Sequence, residues 1–431
     1  MSRKSIRLRH LVAMMVALAL VAAACGDDEG DTEIEDAIGV VEIQPGEQIQ
    51  IRAHQAISDV VADLGIDQVR GIEMAIEDFG EVHGFSVNLG TPEDDLCLSA
   101  GGQTGAQAIS AQDGVLAVIG TTCSGAGAAA LPVYSAAGLV MISGSNTSPS
   151  LTSYVMTNPG TAAENYLPGY YRTAHNDEFQ GGAVADFVFN ELGLTTAAAI
   201  HDGDPYTEGL TNAFTAAFEA LGGEVLYTAR TQAGDQTSIL TDIAAAGVEL
   251  VFFPIFPQTG GPEMIQQKDS IAGLEDIVWF SADGLFVSDF LALTETEGVY
   301  FSGPDLDLGA NVSATGVSYA DMLVRYEEKY GESPPAAFHA HAYDATVIVL
   351  TAIREVGVLG SDGVLRVGRQ ALRDYIGALS GFAGLIGPLG CDEFGDCGSQ
   401  AVQIALHSDS SVTAITETPV LRKYTAEDLR G

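Results

Sequence analysis

Two polar loops, each directly after an apolar run, constrain the fold of this chain more than any other feature. Residues 115–119 form a continuous apolar run of the kind that builds a buried parallel strand. A loop rich in glycine and hydroxyl side chains follows at 120–127, and a helix of small residues is predicted over 128–137. The second strand, 140–143, leads into a second polar loop, 144–148. This alternation predicts an α/β fold with a parallel sheet, in which ligands bind beyond the carboxyl ends of the strands.

Both loops carry groups that suit a carboxylate. Ser124 and Gly125 stand near the start of the predicted helix, where free N–H groups and the helix dipole favour an anion. Ser145, Asn146 and Thr147 supply hydroxyl and amide groups from the second loop. Because the strands before the two loops are predicted to be neighbours, the loops should face one crevice.

The first 46 residues are predicted to lie outside the fold. Residues 1–25 combine a basic start with an apolar segment, 11–24, which is too short for a membrane span and typical of a signal peptide. Cys25 follows three alanines, a pattern similar to a lipoprotein cleavage site with Cys25 as the lipidated residue; secretion without a lipid is the alternative. The acidic segment 26–46 is predicted to be a disordered tether.

The charge of the chain excludes some partners. It has 58 acidic and 18 basic residues and a net charge of −40 at pH 7, a field that disfavours binding to nucleic acid and to anionic membranes. The acidic surface either suits a saline medium or binds calcium. His339 and His341 form a His-x-His pair, but residues two apart on a helix point to different faces, so no metal site is predicted.

The residues around the first loop carry a resemblance to a known family. They comprise a cysteine–serine pair after the strand, a tyrosine and a glycine around the helix, a strand ending in serine, and a loop with threonine and proline: Cys123-Ser124, Tyr134, Gly138, Met141-Ile142-Ser143, Thr147 and Pro149. In these features the chain resembles the branched-chain amino-acid binding proteins of ABC importers, of the type I periplasmic binding protein family. The resemblance extends, with gaps, from about residue 48 to about residue 406.

This resemblance implies two doubly wound parallel-sheet lobes joined by a three-segment hinge. Residues 47–174 plus 304–382 are expected to form the N-terminal lobe, and residues 175–303 plus 383–421 the C-terminal lobe. The ligand would bind in the cleft between the lobes. The protein is expected to be a monomer, and no cofactor is implied.

The resemblance also implies ligand contacts from the second lobe. Tyr206 matches a tyrosine that contacts the ligand, and Phe256 falls where the family has an aromatic wall. Asp283 stands where an acidic residue, more often glutamate, pairs with the ammonium group of the ligand. A helix N-cap is the alternative role for Asp283, since aspartate is common at that position.

Four cysteines remain besides Cys25, an even number for a chain exported to an oxidising compartment. The resemblance pairs Cys97 with Cys123, and Cys391 and Cys397 are close enough in sequence to pair with each other. A zinc site is the rival interpretation, but the sequence has no Cys-x-x-Cys pair.

With the resemblance, the sequence predicts a solute-binding lipoprotein of an ABC importer. It would be anchored by Cys25 to the outer face of the cell membrane, capture a small molecule, with a branched-chain amino acid as the first expectation, and deliver it to permease subunits. A same-fold receptor for an amide or urea-like solute is one alternative. A secreted hydrolase is another, but Cys123-Ser124-Gly125 is not a GxSxG elbow and no base is apparent for a nucleophile, so no enzyme is predicted.

Overall fold

The computed structural model describes residues 34–430, so the predicted signal peptide, Cys25 and residues 26–33 lie outside the described part. In residues 34–430, no helix is both long and apolar enough to cross a membrane. The α-helices are α1 Ala62–Phe79, α2 Ser99–Ser110, α3 Ser124–Ala136, α4 Asp177–Asp186, α5 Pro205–Leu221, α6 Thr237–Ala246, α7 Gly261–Gln267, α8 Ser288–Leu291, α9 Tyr319–Tyr330, α10 His339–Val356, α11 Arg369–Gly377 and α12 Ala426–Arg430.

The strands belong to two large sheets and two small ones. In chain order they are β1 Val40–Ile43, β2 Ile49–Gln55, β3 Val87–Asn88, β4 Glu93–Asp94, β5 Val115–Gly120, β6 Val140–Ser143, β7 Tyr170–Arg172, β8 Thr196–His201, β9 Glu224–Arg230, β10 Leu250–Phe252, β11 Val278–Ala282, β12 Tyr300–Pro304, β13 Val358–Leu359, β14 Leu365–Gly368, β15 Phe382–Gly384, β16 Gly387–Leu389, β17 Val402–Leu406 and β18 Val420–Tyr424.

The sheet of the N-terminal lobe has the strand order β3-β2-β5-β6-β7, with β4 also paired to β2. All of these pairings are parallel. Strand β5 is buried along its whole length, as an unbroken apolar run predicts for a strand covered on both faces. Helices α1 and α10 pack closely, and a Cβ at Gly71 would lie 2.3 Å from the carbonyl oxygen of His339. Glycine is therefore required where these helices touch.

The sheet of the C-terminal lobe has the order β9-β8-β10-β11-β12-β17-β18. The pairings are parallel from β9 to β12, and β17 and β18 are added antiparallel at the edge. Together the two lobes confirm the predicted fold class, in which strands alternate with helices around two mainly parallel sheets.

Three segments connect the lobes. The chain crosses between the lobes after β7, after β12 and before β17, as the assignment of the strands to the two large sheets shows. Loops from both lobes meet between the two sheets: those after β5 and β6 come from one lobe, and those after β8, β10 and β11 come from the other. The topology therefore places the strand-end loops of both lobes at one cleft.

The assignment of residues 383–397 to the C-terminal lobe is wrong. The β15–β16 hairpin packs in the core of the N-terminal lobe through Leu385, Ile386 and Leu389. The Asp344 carboxylate on α10 accepts the N–H groups of Leu385 and Ile386, each at 2.9 Å. Strands of three residues carry too little periodicity to show which core they join, so the lobe boundary was placed too early.

Part of the predicted disordered tether is ordered. Strand β1 pairs antiparallel with β14, and its residues Val41 and Ile43 are buried. The Asp36 carboxylate accepts the N–H groups of Gln370 and Ala371 at the start of α11. The prediction of disorder was wrong here because it was based on the acidic composition of the segment. Two alternating apolar residues, Val41 and Ile43, are enough for this segment to pair with strand β14.

Both predicted disulfides, Cys97–Cys123 and Cys391–Cys397, are present. The first joins the turn before α2 to the residue before α3. The second closes a short loop at the third connection between the lobes.

Candidate functional site

The lobes meet closely around a small cavity, which has about 20 Å³ of space for the centre of a water-sized molecule. The residues that line it are Leu64, Thr122, Cys123, Ser124, Ser145, Tyr206, Phe256, Asp283, Gly284 and Phe338. Five predicted ligand-binding residues are among them, and three are not: Gly125, Asn146 and Thr147.

Ser124 is the first residue of helix α3 and is buried at the cavity. Its hydroxyl oxygen accepts the N–H of Ser148 at 3.3 Å, which leaves the O–H able to donate to another acceptor. Cys123, at the N-cap position, makes no side-chain cap to the helix. The helix therefore presents its N-terminus, with the favourable end of its dipole, toward the cleft.

Gly125 does not face the cavity, because its N–H donates to Asp204 Oδ2 from the other lobe at 3.1 Å. A Cβ at Gly125 would lie only 2.1 Å from that oxygen. Burial raises the pKa of Asp204 to about 7, and the nearby Asp202 adds to the rise, whereas the bonds from Tyr206 and Gly125 N–H oppose it. A protein carboxylate thus takes the N–H group that the sequence analysis assigned to the ligand.

The second polar loop is tied to the first by internal hydrogen bonds. Ser145 lines the cavity, but its hydroxyl donates to the Thr122 carbonyl at 2.7 Å and accepts from Gln68 Nε2 at 2.9 Å. Asn146 Nδ2 donates to the carbonyl oxygens of Thr121 and Thr122, each at 3.0 Å. Asn146 therefore fixes the geometry of the two loops, and its side chain has no group left for a ligand.

Thr147 lies beside Asp177, the first residue of α4. The Asp177 N–H donates to the Thr147 carbonyl at 3.0 Å, while the Thr147 hydroxyl and both Asp177 carboxyl oxygens have no hydrogen-bond partner in the described part of the chain. Burial raises the pKa of Asp177 well above its ordinary value, and the neighbouring Asp283 adds to this rise. The contact joins the two lobes behind the cavity and leaves Thr147 away from its lining.

Tyr206 and Phe256 form an aromatic wall on the C-terminal lobe. Their ring centroids are 5.2 Å apart with the planes inclined by 46°, and both side chains are buried. Tyr206 is held at the start of α5, where Asp204 caps the helix by accepting the Tyr206 N–H at 2.9 Å. The Tyr206 hydroxyl accepts the N–H of Gly284 at 3.2 Å.

Asp283 follows β11 and is 5% exposed. Its carboxylate accepts a hydrogen bond from Gln180 Nε2 at 2.8 Å. Burial raises its pKa to about 6, while the bond from Gln180 and the nearby Tyr206 hydroxyl oppose the rise. The N-cap alternative is wrong, because the next helix, α8, begins at Ser288 and has Val287 at its N-cap.

Several cavity residues were missed by the sequence analysis. Thr122 is one of the hydroxyl residues of the first polar loop, but it was not among the predicted ligand-binding residues. Leu64 and Phe338 come from the starts of α1 and α10, and no local pattern distinguishes them from ordinary core residues. Gln180 does not line the cavity and was found only through its bond to Asp283.

The cavity combines three kinds of surface. One wall has the Ser124 hydroxyl and the N-terminus of α3, the opposite wall has the Asp283 carboxylate, and Leu64, Phe256 and Phe338 supply apolar area. Among the lining residues in the described range, Asp283 alone carries a charge. Such a site suits a small molecule with a hydrogen-bond acceptor or anion at one end, a cation near the other and an apolar part.

The histidine pair takes no part in this cavity. His339 Nε2 is bonded to the Tyr319 hydroxyl at 3.0 Å, whereas the ring of His341 packs against Phe338 with centroids 5.2 Å apart. Residues 34–430 contain no group of three or more histidine, cysteine or acidic side chains placed to hold a metal ion.

Comparison with known proteins places this geometry in context. The sequence pattern of the family described as "Periplasmic binding protein" matches residues 48–404. An "Amino acid binding protein" of Pseudomonas aeruginosa is 32% identical over 255 residues, which cover 58% of this chain and 64% of that relative. This match thus spans just under two thirds of the relative's length.

A second relative matches over more of its length. The "Leu/Ile/Val-binding protein homolog 3" of Brucella melitensis is 27% identical over 362 residues, covering 82% of this chain and 90% of that protein. Among solved structures, the leucine binding protein LivK of Thermotoga maritima superimposes with a TM-score of 0.73 at 22% identity, covering 88% of this chain and 99% of that one.

Proposed function

The chain belongs to the periplasmic binding protein family, and we propose that it is the solute-binding component of an ABC importer, which captures an amino acid of the branched-chain type between its lobes. The two relatives described above, one amino-acid binding and one Leu/Ile/Val-binding by name, support this ligand class. The observation that carries the proposal is Asp283, a buried carboxylate at the cavity that has no cationic partner among the lining residues of the described chain.

A buried carboxylate without a counter-ion is unfavourable, and an ammonium group is the ligand feature that would offset this cost. Gln180 already orients the Asp283 carboxylate by donating to it, so its position is fixed before a ligand arrives. An amino acid would place its ammonium group on Asp283 when the lobes close around it.

The carboxylate of the same ligand would lie at the start of helix α3. There the Ser124 hydroxyl can donate, and the helix dipole favours a negative charge. Between the two charged ends, Leu64, Phe256 and Phe338 would contact an apolar side chain. Closure excludes water from the cavity and strengthens both polar interactions.

We place the mature protein outside the cytoplasm, with Cys25 as a lipid anchor and a permease as the partner that reads the closed form. The family supports the extracytoplasmic location. The anchor rests on the sequence around Cys25, which lies outside the described residues. A permease can respond to the closed form only if ligand binding shifts the protein toward that form. The position of the cavity in the cleft between the lobes allows such a shift.

A thermal-unfolding screen with matched ligands tests the proposal. L-leucine carries both charged groups, 4-methylpentanoate lacks the amine, and isoamylamine lacks the carboxylate. A ligand at 100 times its Kd adds about 2.7 kcal/mol to the free energy of unfolding, so L-leucine, L-isoleucine or L-valine should raise Tm while the two truncated compounds should not. If leucinamide or urea raises Tm and the amino acids do not, the amide receptor is the better assignment.

A further inference from the structure

The Asp204 carboxylate bridges the N-termini of two helices that belong to different lobes. Asp204 Oδ1 accepts the Tyr206 N–H at 2.9 Å and caps α5 in the C-terminal lobe. Asp204 Oδ2 accepts the Gly125 N–H at 3.1 Å, at the second residue of α3 in the N-terminal lobe. The two residues that this single side chain joins are 81 positions apart in sequence (206 minus 125).

The surroundings are shaped for this contact. Cys123 does not cap α3 with its own side chain, so the first turn of that helix has N–H groups for an external acceptor. Position 125 is glycine, and any Cβ there would lie 2.1 Å from Asp204 Oδ2. A carboxylate that meets a helix N-terminus also gains from the helix dipole.

The contact lies between the two walls of the cavity. Ser124, next to Gly125, lines one wall, and Tyr206, two residues after Asp204, lines the other. A second interlobe bond stands beside it, in which the Ser148 hydroxyl donates to the Pro205 carbonyl at 2.9 Å. Opening the cleft by moving the lobes apart would break both bonds, whereas the cap on α5 would stay intact.

We propose that Asp204 is a positioning residue for lobe closure, which caps α3 only when the lobes meet and thereby sets the spacing between Ser124 and Tyr206. The contact uses protein groups alone, so it stabilises the closed arrangement whatever the ligand is. Its test needs no ligand, and its failure is therefore distinct from failure of the proposed amino-acid specificity.

Asp204→Asn separates the two roles of the side chain. Asparagine is as good an N-cap as aspartate, so Oδ1 can still accept the Tyr206 N–H, but the second oxygen is replaced by an NH2 group that cannot accept from Gly125. Gly125→Ala blocks the same contact from the other lobe and does not weaken helix α3. Asp235→Asn is the matched control, since Asp235 accepts the Thr237 N–H at the start of α6 and is exposed.

Small-angle X-ray scattering on the full chain, without ligand, measures lobe separation, and thermal unfolding measures stability. Asp204→Asn should shift the open-to-closed ratio toward the open form by about tenfold and increase the radius of gyration, and its unfolding curve should show that the variant is folded. Gly125→Ala should do the same, and the double variant should open no further than either single variant, because both remove one contact. Asp235→Asn should scatter like the parent.

Two results would overturn the proposal. One is scattering of Asp204→Asn that matches the parent, which would leave Asp204 as a cap of α5 only. The other is a double variant whose effects add, which would mean that the two residues act separately. If Gly125→Ala does not fold, Asp204→Asn alone decides between these outcomes.

Discussion

Gln180 Nε2 donates a hydrogen bond to the Asp283 carboxylate at 2.8 Å, and the carbonyl oxygen of the same Gln180 side chain is bonded to His175 Nε2. His175 lies shortly after β7, where the chain first crosses between the lobes, and just before α4. Its ring stacks on Phe338, which lines the cavity. The acid proposed to hold the ammonium group is therefore oriented by a chain of contacts that begins at the hinge.

The first prediction concerns Gln180→Met, which removes the amide and keeps the approximate length of the side chain. Asp283 loses a donor while the cavity keeps its shape, so we expect the Kd for L-leucine to rise by about tenfold, as for loss of a hydrogen bond to a charged group. Calorimetric titration measures this. Gln236→Met is the control, because Gln236 is a buried glutamine that bonds Gln232 and Thr231 and does not line the cavity. Equal Kd values for the two variants would contradict the prediction.

The sequence could predict the parts of the site that follow from local patterns, but not those that depend on contacts between residues far apart in the chain. Ser124 and Ser145 were predicted at one cleft because apolar runs mark the strands and loops follow their carboxyl ends, whereas Asp283 was predicted there from the family resemblance. Which donors remain free could not be predicted, since Gly125 is taken by a carboxylate 79 residues away. Such a contact depends on how the lobes meet, and no local pattern encodes it.

The same distinction applies to the fold. The helix Tyr319–Tyr330 buries Tyr319, Met322 and Tyr326, which recur at helical spacing in the sequence. The β15–β16 hairpin and strand β1 are too short for a periodic signal, and their position is decided by the partner strands and cores that they meet. Prediction therefore failed at the lobe boundary near residue 383 and in the tether.

The second prediction concerns Arg172, which is fully buried and links the second polar loop to the hinge. Its guanidinium forms an ion pair with Asp396 and donates to the carbonyl oxygens of Asn146 at 3.0 Å and Ser148 at 2.8 Å. Arg172→Met should lower the free energy of unfolding by about 3–5 kcal/mol, since it leaves a buried carboxylate without its partner. Urea unfolding measures the loss.

Two further variants show whether charge burial is the cause. Arg172→Met combined with Asp396→Asn should recover part of the loss, because no unpaired charge then remains. Lys329→Met removes the exposed ion pair with Glu77 and should cost less than about 1 kcal/mol. A double variant no more stable than Arg172→Met would point instead to the lost carbonyl contacts.

The third prediction concerns pH. Burial raises the pKa of Asp95, Asp204 and Asp344 to about 7, and that of Asp63 and Asp283 to about 6. These five carboxyl groups therefore hold more protons in the folded chain than in the unfolded chain between about pH 4 and pH 7, and they make the free energy of unfolding fall as pH rises. Burial lowers the pKa of His54 and His175 to about 4, which acts with the opposite sign, but these groups are fewer. Urea unfolding at pH 5 and pH 8 measures this, and the protein should be more stable at pH 5.

Asp283→Asn isolates one contribution to this pH dependence. Asparagine keeps an oxygen for Gln180 and carries no charge, so at pH 8 the variant should be more stable than the parent by roughly 2–3 kcal/mol, the value of a two-unit pKa shift. The advantage should disappear below about pH 4, where the aspartate is protonated in both states. A variant less stable than the parent at pH 8 would show that the Asp283 charge stabilises the fold.

The last prediction compares the two ends of the proposed site. An amino acid in a dry cleft needs a partner for each charge, and Asp283 is the acid at the cavity, whereas Ser124 is one neutral donor beside the N-terminus of α3. Asp283→Asn should therefore weaken L-leucine binding by about 2–5 kcal/mol, and Ser124→Ala should cost less, because the helix dipole and backbone donors remain. Calorimetry on both variants measures the difference, with Ser135→Ala, a partly exposed serine of the same helix, as the control. If Asp283→Asn binds the ligand as tightly as the parent does, the ligand has no amine on Asp283, and an amide or urea-like solute becomes the better assignment.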